Sequence, residues 1–109
     1  MSALQAFGQA ELQTAHTNGG KLYHEFLRVP AMSAGLYILP TGGTDPQTPH
    51  AEDEIYYVIS GRSRFTCDGV TVEAQPGDTL YVPANIGHRF HDVTEELQLL
   101  VVFAPAETI

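Results

Sequence analysis

The chain has 109 residues, of which 43% are hydrophobic, 17% are charged and one is a cysteine. It is therefore long enough for one domain with a single core, and it cannot form an internal disulfide. Thirteen acidic residues against five Lys and Arg give a formal net charge of −8, which disfavours nucleic acids and anionic membranes as partners because both require a basic face.

The predicted elements are almost all short strands. Residues 1–20 are expected to form an N-terminal arm, with no more than a helical turn in the first dozen residues. From residue 21 on, apolar and β-branched runs alternate with Gly, Pro and Asp. The predicted strands are KLYHEFLRV, SAGLYIL, EIYYVIS, RSRFTC, VTVEA, TLYVP, HRFHDV and LQLLVVFAP. Asp68-Gly69 predicts a two-residue hairpin turn, and Gly61 is expected to end the strand EIYYVIS.

Seven or eight strands at this spacing predict an all-β fold, either a sandwich or an antiparallel β-barrel, formed as a single domain over residues 1–109 with the barrel in 21–109. No apolar run approaches the ~20 residues of a membrane span, and the N-terminus does not read as a signal peptide. We therefore expect a cytoplasmic protein, a location with which the single cysteine agrees.

Three side chains suit a metal site. His50 and Glu54 belong to one segment, and His88 lies a few strands later. Two imidazoles and one carboxylate inside a barrel are typical ligands of a divalent transition metal. Their spacing alone does not establish that they converge, because a histidine beside a turn is most often solvated.

The spacing of glycine and proline around these residues resembles the motifs of a known protein family. The first segment reads Gly42-x5-Thr48-x-His50-x3-Glu54-x6-Gly61, and the second reads Gly77-x5-Pro83-x-Asn85-x2-His88-x3-Asp92. Together they resemble the two signature motifs of the cupin superfamily, G-x5-H-x-H-x3,4-E-x6-G and G-x5-P-x-G-x2-H-x3-N. The 15 residues from Arg62 to Pro76 that separate them are typical of small single-domain microbial cupins. The resemblance implies a jelly-roll barrel (a double-stranded β-helix), often assembled as a homodimer.

The resemblance implies metal ligands at His50, Glu54 and His88, while Thr48 stands where the family has a further histidine. Three outcomes stay open. The three residues could hold Fe, Mn, Ni, Co or Zn with open coordination positions; Gln47 or Glu52 could supply a fourth oxygen; or the metal could be lost and the histidines kept as polar pocket residues.

Strand alternation adds candidate pocket residues. If Glu54 points inward, so does Tyr56, and if His88 points inward, so does Phe90. Both rings could line an apolar pocket or simply fill the core. Because metal-bound histidines cannot act as bases, Glu52 and Tyr56 are the remaining candidates for a catalytic base.

The resemblance implies a metal-dependent protein that acts on a small organic molecule by oxygenase, decarboxylase, lyase or isomerase chemistry. The alternative is a cupin that binds a sugar or metabolite without turnover and has a degenerate metal site. The missing first histidine supports that alternative.

Overall fold

The computed structural model describes residues 3–46 and 48–108. Its elements, in chain order, are α1 (Gln9–Gly19), β1 (Tyr23–Val29), β2 (Met32–Leu39), β3 (Asp53–Cys67), β4 (Val70–Ala74), β5 (Thr79–Val82) and β6 (His88–Ala104). The predicted all-β, antiparallel fold is confirmed. No helix among the described residues is long and apolar enough to cross a membrane.

The strands form one antiparallel sheet that encloses the core. Its order is β1–β2–β6–β3–β4, with β5 pairing to β3 beside this path. Within the described residues this path does not close into a ring, so the architecture is a cupin-like jelly-roll sandwich rather than a fully closed barrel. The core consists of the inward side chains of the long strands, among them Tyr56, Val58, Phe90, Leu97 and Leu99.

The number of strands differs from the prediction in two places. EIYYVIS and RSRFTC are one strand, β3, and HRFHDV and LQLLVVFA are one strand, β6. Gly61 does not end a strand. It has φ +92, and a Cβ at this position would overlap the carbonyl oxygen of Glu96 on β6. The register between β3 and β6 shifts on both sides of it, so the glycine marks a bulged bend.

The predicted hairpin at Asp68-Gly69 is present between β3 and β4. Both residues have positive φ (51 and 76), as a two-residue hairpin turn of type I′ requires. Cys67 and Val70 are paired across the turn.

The helix α1 is longer and lies later than predicted. It begins at Gln9 and ends before Gly20, which has φ 69. None of its residues is buried, so the sequence lacks the apolar residues at helical spacing that would have predicted it. Its Ala, Glu, Leu and Gln residues do favour helix. Gln13 Nε2 donates a hydrogen bond to Gln98 Oε1 (2.9 Å), which attaches the helix to β6.

Candidate metal centre

His50 lies in the loop between β2 and β3, and a turn of the second motif holds it in place. The backbone N–H of Asn85 donates to the carbonyl of His50 (2.6 Å). Asn85 adopts φ 64, the left-handed conformation that Asn tolerates better than most residues. The two motifs, 35 positions apart at these residues, are therefore joined by a backbone hydrogen bond beside the first histidine.

Glu54 and His88 point into the core from β3 and β6. Both side chains are 1% exposed, whereas that of His50 is 17% exposed. Strand alternation explains the direction of Glu54, because Glu52, Glu54, Tyr56 and Val58 are all buried while the residues between them are exposed.

The three predicted ligands converge. His88 Nε2 lies 3.1 Å from Glu54 Oε1, and His50 Nε2 lies 4.0 Å from the same oxygen. One ligand atom from each residue falls within 4.8 Å of the others. Atoms bound at about 2.0–2.2 Å to one ion are separated by about 3–4.4 Å, so small side-chain movements would bring all three onto a single cation.

The electrostatics of the cluster also fit a cation. Both oxygens of Glu54 are buried, and neither has a hydrogen-bond partner of good geometry among the described residues. A carboxylate out of water requires compensating charge. His88 supplies part of it: burial opposes its charged form, but Glu54, the Ile86 carbonyl and Asp45 together outweigh burial and raise the pKa of the imidazole.

The orientation of His88 leaves its Nε2 atom available to bind a metal. Its Nδ1 lies 2.9 Å from the Ile86 carbonyl, to which only a protonated nitrogen can donate. Nε2 therefore faces Glu54 and the Tyr56 hydroxyl, which is 3.2 Å away. A backbone acceptor on the second ring nitrogen is the usual support of a metal-binding histidine.

The loop that carries His50 is anchored by a buried acid. Asp45 accepts a hydrogen bond from the Tyr37 hydroxyl (2.5 Å) and another from the Phe90 backbone N–H (2.9 Å). Burial raises the pKa of Asp45 even though both hydrogen bonds oppose the shift. Asp45 thus ties the loop to both β2 and β6.

The C-terminal tail adds a second carboxylate to the site. Glu107 Oε2 lies 3.4 Å from His50 Nδ1. Burial, followed by the nearby carboxylates of Glu54, Glu52 and Glu25, raises the pKa of Glu107. The tail is fixed by its backbone, because the Glu107 N–H donates to Ser33 Oγ (2.9 Å) and Arg28 donates to the Glu107 carbonyl (2.5 Å).

A cavity of about 200 Å³ opens beside the cluster. It is lined by Tyr23, Tyr37, Pro46, Thr48, His50, Glu54, Val101, Phe103 and Glu107. Thr48, the residue at the first histidine position of the motif, is exposed and lines this cavity.

The predicted pocket residues Tyr56 and Phe90 occupy the core instead. Neither is among the described residues that line the cavity. Their rings pack edge to face with centroids 4.9 Å apart, and both contact Phe65. Strand alternation correctly predicted that both side chains point inward. At these positions, however, the packed aromatic rings fill the interior. The hydroxyl of Tyr56, a candidate base, lies 3.2 Å from His88 Nε2.

The weaker ligand candidate Glu52 is not part of the cluster. Glu52 is buried rather than solvated, and its Oε2 accepts a hydrogen bond from the Thr108 hydroxyl (3.0 Å). It is not part of the group within 4.8 Å found among the described residues. Gln47 lies outside the described residues.

Sequence reasoning missed Tyr23 and Glu107. Tyr23 lies on β1 and Glu107 on the tail, both outside the two motifs, and no local pattern marks either residue. The only available signal was Gly35 in the middle of a strand, since an interior glycine often marks a close approach by another group.

Comparisons with known proteins agree with this fold. The family model for the cupin domain matches residues 35–103. An uncharacterised protein of Streptomyces coelicolor is 44% identical over 105 residues, which cover 96% of this chain and 100% of that protein.

Two solved structures share the fold. A cupin protein from Bacteroides fragilis superposes with a TM-score of 0.72 at 22% identity, covering 96% of this chain and 86% of its own. The DMSP lyase DddQ from Ruegeria pomeroyi superposes with a TM-score of 0.65 at 23% identity, covering 70% of this chain and 39% of its own.

Proposed function

This chain belongs to the cupin family, and we propose that it binds a divalent transition metal through His50, Glu54 and His88 and acts on a small organic molecule in the adjoining cavity. Iron, manganese, nickel, cobalt and zinc all accept two imidazoles and a carboxylate. The three protein ligands leave coordination positions for water or for the small molecule.

The Glu54 carboxylate is the observation that carries the proposal. It is buried, both of its oxygens are without a well-aligned hydrogen-bond donor among the described residues, and two imidazole nitrogens lie 3.1 and 4.0 Å away. An arrangement that served stability alone would either pair such a carboxylate fully or replace it with an apolar residue. A divalent cation would compensate the charge of Glu54 and use both imidazoles.

The bound metal would polarise a carbonyl or lower the pKa of a bound water. The protein's own groups would set the geometry around it. The Ile86 carbonyl fixes the His88 ring. Glu107 lies beside the Nδ1 atom of His50. Val101 and Phe103 provide an apolar wall that would exclude water from one side of the bound molecule.

Oxygenase, decarboxylase, lyase and isomerase chemistry are all compatible with such a centre. The structural likeness to a DMSP lyase supports small-molecule chemistry in this fold but does not choose the reaction, because one fold hosts many activities. The size of the cavity, about 200 Å³, favours a molecule of a few carbon atoms.

Metal analysis of protein purified without added metal tests the proposal. We expect close to one transition metal ion per chain in the wild type and little in His88→Ala. Asp92→Asn is the matched control, because Asp92 occupies the last position of the second motif but its side chain is 62% exposed. Wild-type protein that stays metal-free after incubation with each of the five metals would refute the proposal.

A further inference from the structure

Tyr23 occupies a notch that Gly35 provides. The two residues lie on the paired strands β1 and β2, where Tyr23 stands opposite Tyr37 and Glu25 opposite Gly35. A Cβ at Gly35 would overlap the end of the Tyr23 ring, including its hydroxyl oxygen. The ring can therefore lie against the backbone of β2 only because residue 35 is glycine.

The surrounding aromatic residues fix the ring. Tyr37 and Phe103 each meet it edge to face, with centroid distances of 6.3 Å. All three residues line the cavity beside Glu54 and His50. Tyr23 is thus held in a single position beside the candidate metal centre.

The hydroxyl of Tyr23 is buried and has no hydrogen-bond partner among the described residues. A buried polar group without a partner costs about 1–3 kcal/mol, and such groups in native structures are commonly completed by water or a ligand. Burial and the carboxylates of Glu107, Glu25 and Glu54 raise the pKa of the phenol. The hydroxyl therefore remains protonated and available as a donor.

The charges around the cavity indicate what the hydroxyl would meet. Glu54 and Glu107 line the cavity, and the described lining includes no Lys or Arg. An anionic group at this end of the cavity would face both carboxylates, and Arg28, which donates to the Glu107 carbonyl, is not among the lining residues. A neutral hydroxyl or carbonyl oxygen can accept a hydrogen bond from Tyr23, and a neighbouring hydroxyl can donate one to Glu107.

We propose that Tyr23 is a ligand-binding residue whose hydroxyl donates a hydrogen bond to a neutral hydroxyl or carbonyl oxygen of the small molecule. The ligand class is a short polyol or hydroxycarbonyl compound, uncharged at the end that faces Tyr23 and Glu107. This inference rests on the proposed function, since it assumes a small molecule in this cavity, but it concerns a residue outside both metal-binding motifs.

The test uses the full chain loaded with Co²⁺ and three neutral probes: dihydroxyacetone, glyceraldehyde and erythritol. We expect at least one probe to bind the wild type, as measured by changes in the NMR spectrum of the probe. Tyr23→Phe should weaken that binding about three- to tenfold, the usual effect of one hydrogen bond. Tyr57→Phe is the matched control, because Tyr57 is 43% exposed on the other face of β3.

Two further readouts separate a binding role from a structural one. Tyr23→Phe should keep the wild-type midpoint of thermal unfolding or raise it, since the hydroxyl it loses has no hydrogen-bond partner among the described residues. Gly35→Ala should displace the ring and weaken probe binding even though the hydroxyl is retained.

The outcomes distinguish this inference from the metal proposal. A wild type that binds no metal refutes the proposed function. Normal Co²⁺ affinity in Tyr23→Phe combined with unchanged probe affinity refutes the role of Tyr23 alone, as does a metal-loaded wild type that binds none of the three probes.

Discussion

His88 Nε2 lies 3.1 Å from Glu54 Oε1, although the two residues lie at opposite ends of the same pair of strands. Along the β3–β6 ladder, His88 is paired with Cys67, whereas Glu54 is paired with Phe103. In a flat strand, the 13 residue steps from Glu54 to Cys67 would span about 43 Å. The contact exists because β3 and β6 bend together at the bulges near Gly61, and the candidate metal centre depends on that bend.

Gly61→Ala should therefore be strongly destabilising. The substitution places a side chain at φ +92 and against the Glu96 carbonyl, so we expect a loss of about 3 kcal/mol or more in the free energy of unfolding. Gly77→Ala is a close control, since Gly77 has the same φ of +92 with open space around it, and it should lose only about 1–2 kcal/mol. Urea denaturation measures both. Equal losses would show that the close approach at Gly61 is unimportant.

Glu107→Gln should weaken metal binding without removing a ligand. Glu107 lies 3.4 Å from His50 Nδ1, and loss of a carboxylate behind a metal-binding histidine typically costs 10- to 100-fold in affinity. Because Gln retains one oxygen acceptor, we expect about a tenfold loss in a competition titration with Co²⁺. Glu73→Gln, at a carboxylate that is 81% exposed, should leave the affinity unchanged. Identical affinities for the two variants would contradict a role for the tail.

Asp45 should give the metal-free protein a specific pH dependence. Burial raises the pKa of Asp45 in the native state above the ordinary value of 3.8, which applies to the unfolded chain. At pH values between these two pKa values, Asp45 therefore binds more protons in the native state than in the unfolded state. The contribution of Asp45 to stability therefore falls as pH rises through that interval and is constant above it. Urea unfolding between pH 3.5 and 7 should show the wild type losing stability relative to Asp45→Asn from about pH 4 upward. Parallel curves for the two proteins would contradict this prediction.

The resemblance of the two motifs to those of cupins pointed to the three residues that the structure brings together, although motif spacing alone does not set the distance between them. A turn with positive φ at Asn85 and a strand start at His88 place the second histidine, and strand alternation within β3 turns the Glu54 carboxylate inward. Composition and turn residues also predicted the antiparallel all-β class, since the hairpin at Asp68-Gly69 follows from two residues alone.

The remaining features depend on contacts that are distant in sequence. In the sequence, Gly61 resembles a residue that ends a strand. In the structure it lies in a bend, because the Glu96 carbonyl of β6 approaches it closely. Tyr56 and Phe90 were open to a pocket or a core role, and the position of Phe65 decided between them. Glu107 reaches His50 through a tail fixed to Ser33 and Arg28, so no short pattern could have revealed it.

X-ray diffraction from metal-soaked crystals, collected at the absorption edge of the bound metal, tests the central claim most directly. We expect one anomalous peak within about 2.0–2.3 Å of His50 Nε2, His88 Nε2 and an oxygen of Glu54. A crystal soaked in saturating metal with no peak among these three atoms would show that His50, Glu54 and His88 do not form a metal site.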